Sequence, residues 1–260
     1  MAARSAGRAG LSLTLLALAI FVLPCGAEGP FLLVSAASSL GEALEGLIPT
    51  LGSPGGRAVR LNLGASGSLR AQIEAGAPVD VYISAAPEDM DRLEKGGFLL
   101  PGSRRDFLSN GLVLVGDLHR QGGGGDPRAL LAASSLVALG NPETVPLGRY
   151  SLRALEILGW LDLVKGRTVY GGSARQVLEF VRSGSAPLGI VFRTDALSSA
   201  GRGGVIILYA FPSVALKPPP LYCIAALSTS RDPAGARALA GLLSSPEAER
   251  RYLGLGFTLP

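Results

Sequence analysis

Serines recur where strand-like runs of this chain give way to helix-like ones. AASSL (36–40), GASGSL (64–69) and GGSARQ (171–176) all do so, and VPLGR (145–149) opens a further helix-like stretch with Pro146 at its first position. A helix start carries unpaired N–H groups and a partial positive charge. A hydroxyl beside it adds another donor. Several such starts gathered in one place form a site for an anion. The plain alternative is capping: Ser39 with Glu42, and Ser173 with Gln176, have the capping-box spacing. One junction alone needs no other explanation. Four junctions in one alternating chain favour the anion, because strand ends and helix starts of a parallel α/β sheet share the edge where ligands bind.

Other chemistries find little support. His119 is the single histidine and lies beside the glycine-rich QGGGGD (121–126), so neither a zinc site nor a Ser-His-Asp triad is expected. Gly64 and Gly67 stand at the wrong offsets around Ser66 for a nucleophile elbow. Cys223, inside the apolar LYCIAAL (221–227), reads as a small buried hydrophobe. The net charge of +4 is spread along the chain and aromatics are few, which gives no nucleic-acid surface. No cofactor is called for.

The elements that must position the serines come next. Residues 1–27 have the form of a secretory signal: Arg4 and Arg8, then a nearly unbroken apolar run over 11–23, then Cys25-Gly26-Ala27 as a small-x-small cleavage site. The mature chain would start at Glu28. Lipid attachment at Cys25 is a rival reading, which Pro24 directly before it fits poorly. Beyond this leader, apolar runs alternate with amphipathic stretches, as in α/β folds. FLLV leads to a helix over about 40–47. VRLNLG leads to SLRAQIEAG, ended by Gly76. VDVYISA precedes a helix from Pro87 to Gly96. Further strands are read in GLVLVGD, LVALGNP, RTVYGG, LGIVF and LYCIAAL, and a helical tail over about 232–252.

AASSL, GASGSL with QIEAGAPVDVYISA (72–85), GNPETVPLGRY (140–150) and APLGIVFRTDA (186–196) together resemble the molybdate-binding periplasmic proteins (ModA type) of ABC importers, over essentially the whole mature chain. The resemblance implies a two-lobe periplasmic-binding-protein fold of type II. Each lobe would be a mostly parallel sheet flanked by helices, with the ligand in the cleft between them. Lobe 1 would comprise 28–109 and the return segment 218–260, and lobe 2 would comprise 110–217. The ligand would be a tetrahedral oxyanion, molybdate or tungstate, delivered to a membrane permease. Ser39, Ser66 and the backbone N–H groups of Leu147 and Ala174 would contact it, with the metal atom reached only through its oxygens. The family often has a tyrosine whose hydroxyl meets the anion where this chain has Phe192. Phenylalanine has no such donor. A water, Ser38, Ser68 or Arg193 are the candidate replacements. A binder of sulfate or another oxyanion, with specificity altered at Phe192, is the alternative.

The matched positions are all uncharged, so a dianion would be held by charge-assisted hydrogen bonds and helix dipoles alone. A site made only of donors disfavours a protonated oxyanion such as hydrogen phosphate, whose proton finds no acceptor. Arg149 and Arg175 read either as cleft charges that steer anions or, preferably, as solvated helix faces. Asp195 reads as structural. The lobes would be joined near residues 107–111 and 211–221, where Pro218-Pro219-Pro220 stiffens the connection. Closure would be a hinge motion. An enzyme and the sensor module of a regulator are the competing classes; the missing catalytic motifs argue against the first, the export signal and absent DNA-binding helices against the second. Nothing calls for an oligomer, so a monomer outside the cytoplasm is expected.

Overall fold

The computed structural model of the 260-residue chain describes residues 31–117, 125–198 and 204–260. The leader with Cys25, and His119, lie outside the described residues. In chain order the elements are β1 (Leu32–Ala37), α1 (Gly41–Leu51), β2 (Val59–Gly64), α2 (Ser66–Glu74), β3 (Val81–Ser84), α3 (Pro87–Lys95) and β4 (Arg105–Ser109). Then come β5 (Leu112–Asp117), α4 (Pro127–Ala133), β6 (Val137–Gly140), α5 (Pro146–Ile157), α6 (Leu161–Val164), β7 (Thr168–Gly171), α7 (Ala174–Arg182), β8 (Leu188–Phe192), α8 (Arg193–Leu197) and β9 (Val205–Ala210). The chain ends with β10 (Leu221–Ala226), α9 (Pro233–Leu243) and α10 (Pro246–Gly254).

The strands form two five-stranded sheets, ordered β2-β1-β3-β10-β4 and β7-β6-β8-β5-β9. In the first, β1 pairs in parallel with β2 and β3, and β10 runs antiparallel between β3 and β4. In the second, β6 pairs in parallel with β7 and β8, and β5 runs antiparallel between β8 and β9. Each sheet is therefore mostly parallel, with a single reversed strand. Both reversed strands begin just after the chain has crossed between sheets, β5 on the way out and β10 on the return.

Burial explains which runs became strands. Every residue of β8 (LGIVF) is buried, as suits a strand covered on both faces. Edge strand β2 (VRLNLG) is only half-buried and carries Arg60 and Asn62. Helix α7 buries Ala174, Val177, Leu178 and Val181, one stripe at helical spacing. Each of the larger three contributes about 1.5–3 kcal/mol by leaving water. One apolar core lies under each sheet, with a third cluster around Tyr82, Met90 and Cys223. Cys223 is fully buried, and burial pushes its thiol well above the ordinary range, so it packs as an inert hydrophobe.

Two neighbouring crossings join the sheets: residues 110–111 and 211–220. The Phe211 N–H donates to the Leu112 carbonyl at 3.0 Å, and the Ser109 hydroxyl to the Pro220 carbonyl at 2.8 Å. A pair of adjacent tethers is the geometry of a hinge.

Candidate functional site

The helix starts converge, though not all in the way their sequences suggest. Ser39 is no cap: residues 38–40 form a 3-10 turn, α1 begins at Gly41, and no side chain caps it. The tight turn carries the Ser39 hydroxyl away from the helix end and across to Tyr222 OH, 2.9 Å distant. The second box does form. Ser173 Oγ accepts from the Gln176 N–H at 3.2 Å, and Gln176 Oε1 accepts from the Gly172 N–H at 2.6 Å. Ser66 is the first residue of α2, Leu147 the second of α5 and Ala174 the first of α7. The N–H groups of Leu147 and Ala174 thus precede the first intrahelical partners.

Ser39, Ser66, Leu147, Ala174 and Phe192 line one cavity, together with Ser38, Ala85, Val145 and Pro146. Its volume is only about 10 Å³, against 430–510 Å³ for the other surface pockets, too little for an organic ligand. Among the described residues, none that lines it is charged. Of the candidate replacements for the hydroxyl missing at Phe192, Ser38 lines the cavity; Ser68 does not, and Arg193 lines an adjoining groove that Ser39 also borders.

The hydroxyl of Ser66 is committed in a useful sense. The Ala85 N–H donates to Ser66 Oγ at 3.0 Å, which leaves the serine's own hydrogen to be donated. Tyr82 OH, buried beneath, donates to the Ser66 carbonyl at 2.8 Å and fixes the start of α2. Behind Ser39, Tyr222 OH also receives the amide of Asn110 at 3.1 Å. Burial pushes the Tyr222 phenol well above its ordinary range, with the Asp195 charge adding to that and the bonds to Ser39 and Asn110 opposing it. Sequence reasoning missed Tyr222 and Asn110. The available signal was a tyrosine inside an apolar strand beside a hinge, since a buried phenol must find a partner.

The two lobes touch across the cleft. Gly67 N–H donates to the Thr144 carbonyl at 3.0 Å. A Cβ on Gly67 would stand 2.8 Å from that oxygen, so the approach requires glycine. Arg149 is neither a free cleft charge nor a solvated face: its guanidinium donates at 2.8 Å to Asp89, which Arg70 also holds at 3.1 Å. Asp89 lies in the first lobe and Arg149 in the second, so this ion pair exists only while the lobes are together. Arg175 is on the exposed face of α7. Asp195 is buried in α8 with one carboxylate oxygen unpartnered, and burial pushes it up to about 7, against a backbone hydrogen bond at Phe192 and the Arg175 charge.

Hydroxyl-bearing and helix-start residues of both lobes thus meet around one cavity. The bacterial extracellular solute-binding protein family matches over residues 32–258. The molybdate-binding protein ModA of Escherichia coli K12 is 30% identical over 241 residues, covering 87% of this chain and 88% of that one. A putative ABC transporter substrate-binding lipoprotein of Bacillus subtilis, YvgL, is 36% identical over 172 residues, 65% of each chain. Among solved structures, the periplasmic molybdate-binding protein of Azotobacter vinelandii superposes with a TM-score of 0.78 at 28% identity, covering 88% of this chain and 99% of that one. A chain matched over nearly its whole described length, with its lobes, hinge and cleft in this arrangement, belongs to the bacterial extracellular solute-binding proteins and is of the ModA type.

Proposed function

We propose that this protein binds a tetrahedral oxyanion, molybdate or tungstate, between its lobes and delivers it to an ABC import permease. The observation that carries the reading is the cavity itself. It is small and uncharged, and it is lined by the two serines and the two helix-start residues. Ser39 and Ser66 would donate through their hydroxyls, Leu147 and Ala174 through backbone N–H groups, and Phe192 would close the wall without donating. Relatives whose names specify molybdate support the ligand class. The protein is a binding protein and not an enzyme, as its family is. Lobe 1 is assigned to 28–109 and 218–260, lobe 2 to 110–217, and the delivering species is a monomer.

Export through residues 1–27 places the protein outside the cytoplasm, in line with the extracellular family and its lipoprotein relative. Among the described residues no helix is long and apolar enough to cross a membrane. Phe192 favours a second reading, a pocket retuned for sulfate. Thermal unfolding of residues 28–260 with molybdate, tungstate, sulfate and phosphate separates the two. An anion at about 100 times its Kd adds roughly 2.7 kcal/mol, a rise of roughly 5–10 °C for this size. Molybdate and tungstate are expected to produce it and phosphate is not. A rise with sulfate alone keeps the site and replaces the ligand; no rise with any of them overturns the reading.

A further inference from the structure

We propose that Tyr222 is a positioning residue for the anion site: its hydroxyl holds Ser39 Oγ as an acceptor, so that the Ser39 hydrogen is aimed at the ligand. The inference rests on the oxyanion reading above.

The direction of the relay follows from counting hydrogens. Asn110 Oδ1 accepts from the Gly111 N–H at 2.9 Å, which fixes the other end of that amide as its nitrogen. Asn110 Nδ2 then donates to Thr194 Oγ1 at 2.8 Å and to Tyr222 OH at 3.1 Å. A phenol has one hydrogen. That buried hydrogen needs an acceptor; Asn110 Nδ2 can only donate, and Ser39 Oγ, 2.9 Å away, is the acceptor within reach among the described residues. Tyr222 is fully buried and its phenol stays protonated, so the donor persists across the working pH range. Ser39 Oγ, occupied as acceptor, turns its own hydrogen elsewhere, and Ser39 borders the cavity.

The same logic already operates at the other serine, where the Ala85 N–H takes the acceptor side of Ser66 Oγ. Each serine is thus backed by one donor, a backbone amide for Ser66 and a phenol for Ser39. The phenol's place is also informative. Tyr222 stands on β10, just after the return crossing, and Asn110 in the outgoing one. The Tyr222 ring lies against Phe192, with centroids 6.1 Å apart. The phenol thus backs Ser39 from the hinge side, one layer behind the cavity wall.

The test is a double-mutant cycle in full-length mature protein: wild type, Ser39→Ala, Tyr222→Phe and the double variant, titrated calorimetrically with sodium molybdate and sodium tungstate. Tyr222→Phe keeps the ring and its packing. It is expected to weaken binding about tenfold in the Ser39 background, the effect of one lost charge-assisted hydrogen bond. In the Ser39→Ala background it should change affinity by less than about twofold, because the relay has no serine left to aim. A purely structural role for Tyr222 would weaken binding equally in both backgrounds, and that result overturns the relay. So does wild-type affinity in Tyr222→Phe. If the wild type itself binds neither anion, the oxyanion reading fails first and this inference with it; additivity in a wild type that does bind removes the relay alone.

Discussion

The ion pair across the cleft makes the sharpest prediction about closure. Arg149→Gln removes the second-lobe half of the pair and leaves Asp89 with Arg70. The Asp89 side chain is 7% exposed and that of Arg149 31%. A hydrogen bond to a charged group is worth about 1.5–3 kcal/mol, and partial exposure with a remaining partner brings this to about 1–1.5 kcal/mol. The pair exists only in the closed arrangement, so its loss falls on the closing equilibrium. Apparent affinity scales with the closed fraction, and about 1.4 kcal/mol is tenfold. Molybdate affinity should therefore drop roughly 5–10-fold, mostly through faster dissociation.

Calorimetry gives the affinity and stopped-flow the rates. A second variant separates a latch from a steering charge. Asp89→Asn frees Arg149 from its partner. If Arg149 served to attract anions, that variant would associate faster and bind more tightly. As a latch, Asp89→Asn binds more weakly, and combining it with Arg149→Gln adds little. An Arg149→Gln affinity within twofold of wild type, or a tighter Asp89→Asn, refutes the reasoning.

Two further outcomes follow from the geometry. Gly67→Ala puts a methyl group 2.8 Å from the Thr144 carbonyl oxygen, where only backbone could yield; alanine suits a helix better by about 0.8–1 kcal/mol, so the ligand-free chain should unfold no earlier while molybdate affinity falls at least about tenfold. Calorimetry showing undiminished affinity would mean the lobes need not approach so closely. Asp195 lies at about 7 in the folded chain and near 4 when unfolded, so between those values the folded chain holds a proton that the unfolded one has released. Stability then declines as pH rises through that window, by up to ~4 kcal/mol, and levels off above it. Asp195→Asn should unfold later than wild type at pH 8 and alike at pH 4; identical pH profiles for the two would show that Asp195 does not titrate in this way.

What the sequence disclosed depended on range. The alternation of elements was legible because each central strand is a continuous apolar run, and Pro146 and Ser66 begin helices where local rules put them. Ser39 was misread locally: Glu42 completes a capping box on paper, but the 3-10 turn ahead of α1 takes the hydroxyl elsewhere. Its true partner is 183 residues away, and the partner of Arg149 is 60 away. Neither spacing leaves a periodic trace. Nor could a lone arginine reveal whether water or a carboxylate in the opposite lobe would receive it.

The division of donors between lobes bears on how a tightly held anion is released. A buried arginine would keep its full charge in any arrangement of the lobes and would go on attracting the anion while the cleft opened. Here the cavity lining is uncharged, and Arg70 and Arg149 are already committed to Asp89. Ser39 and Ser66 belong to the first sheet's side, Leu147 and Ala174 to the second. In the proposed reading, opening removes half of the donors from the anion at once and readmits water to the rest. Affinity built from neutral dipoles on two bodies is therefore high when closed and low when open, whereas affinity built on one fixed charge would differ far less between the two. A protein that must both capture an ion and surrender it gains from the first design.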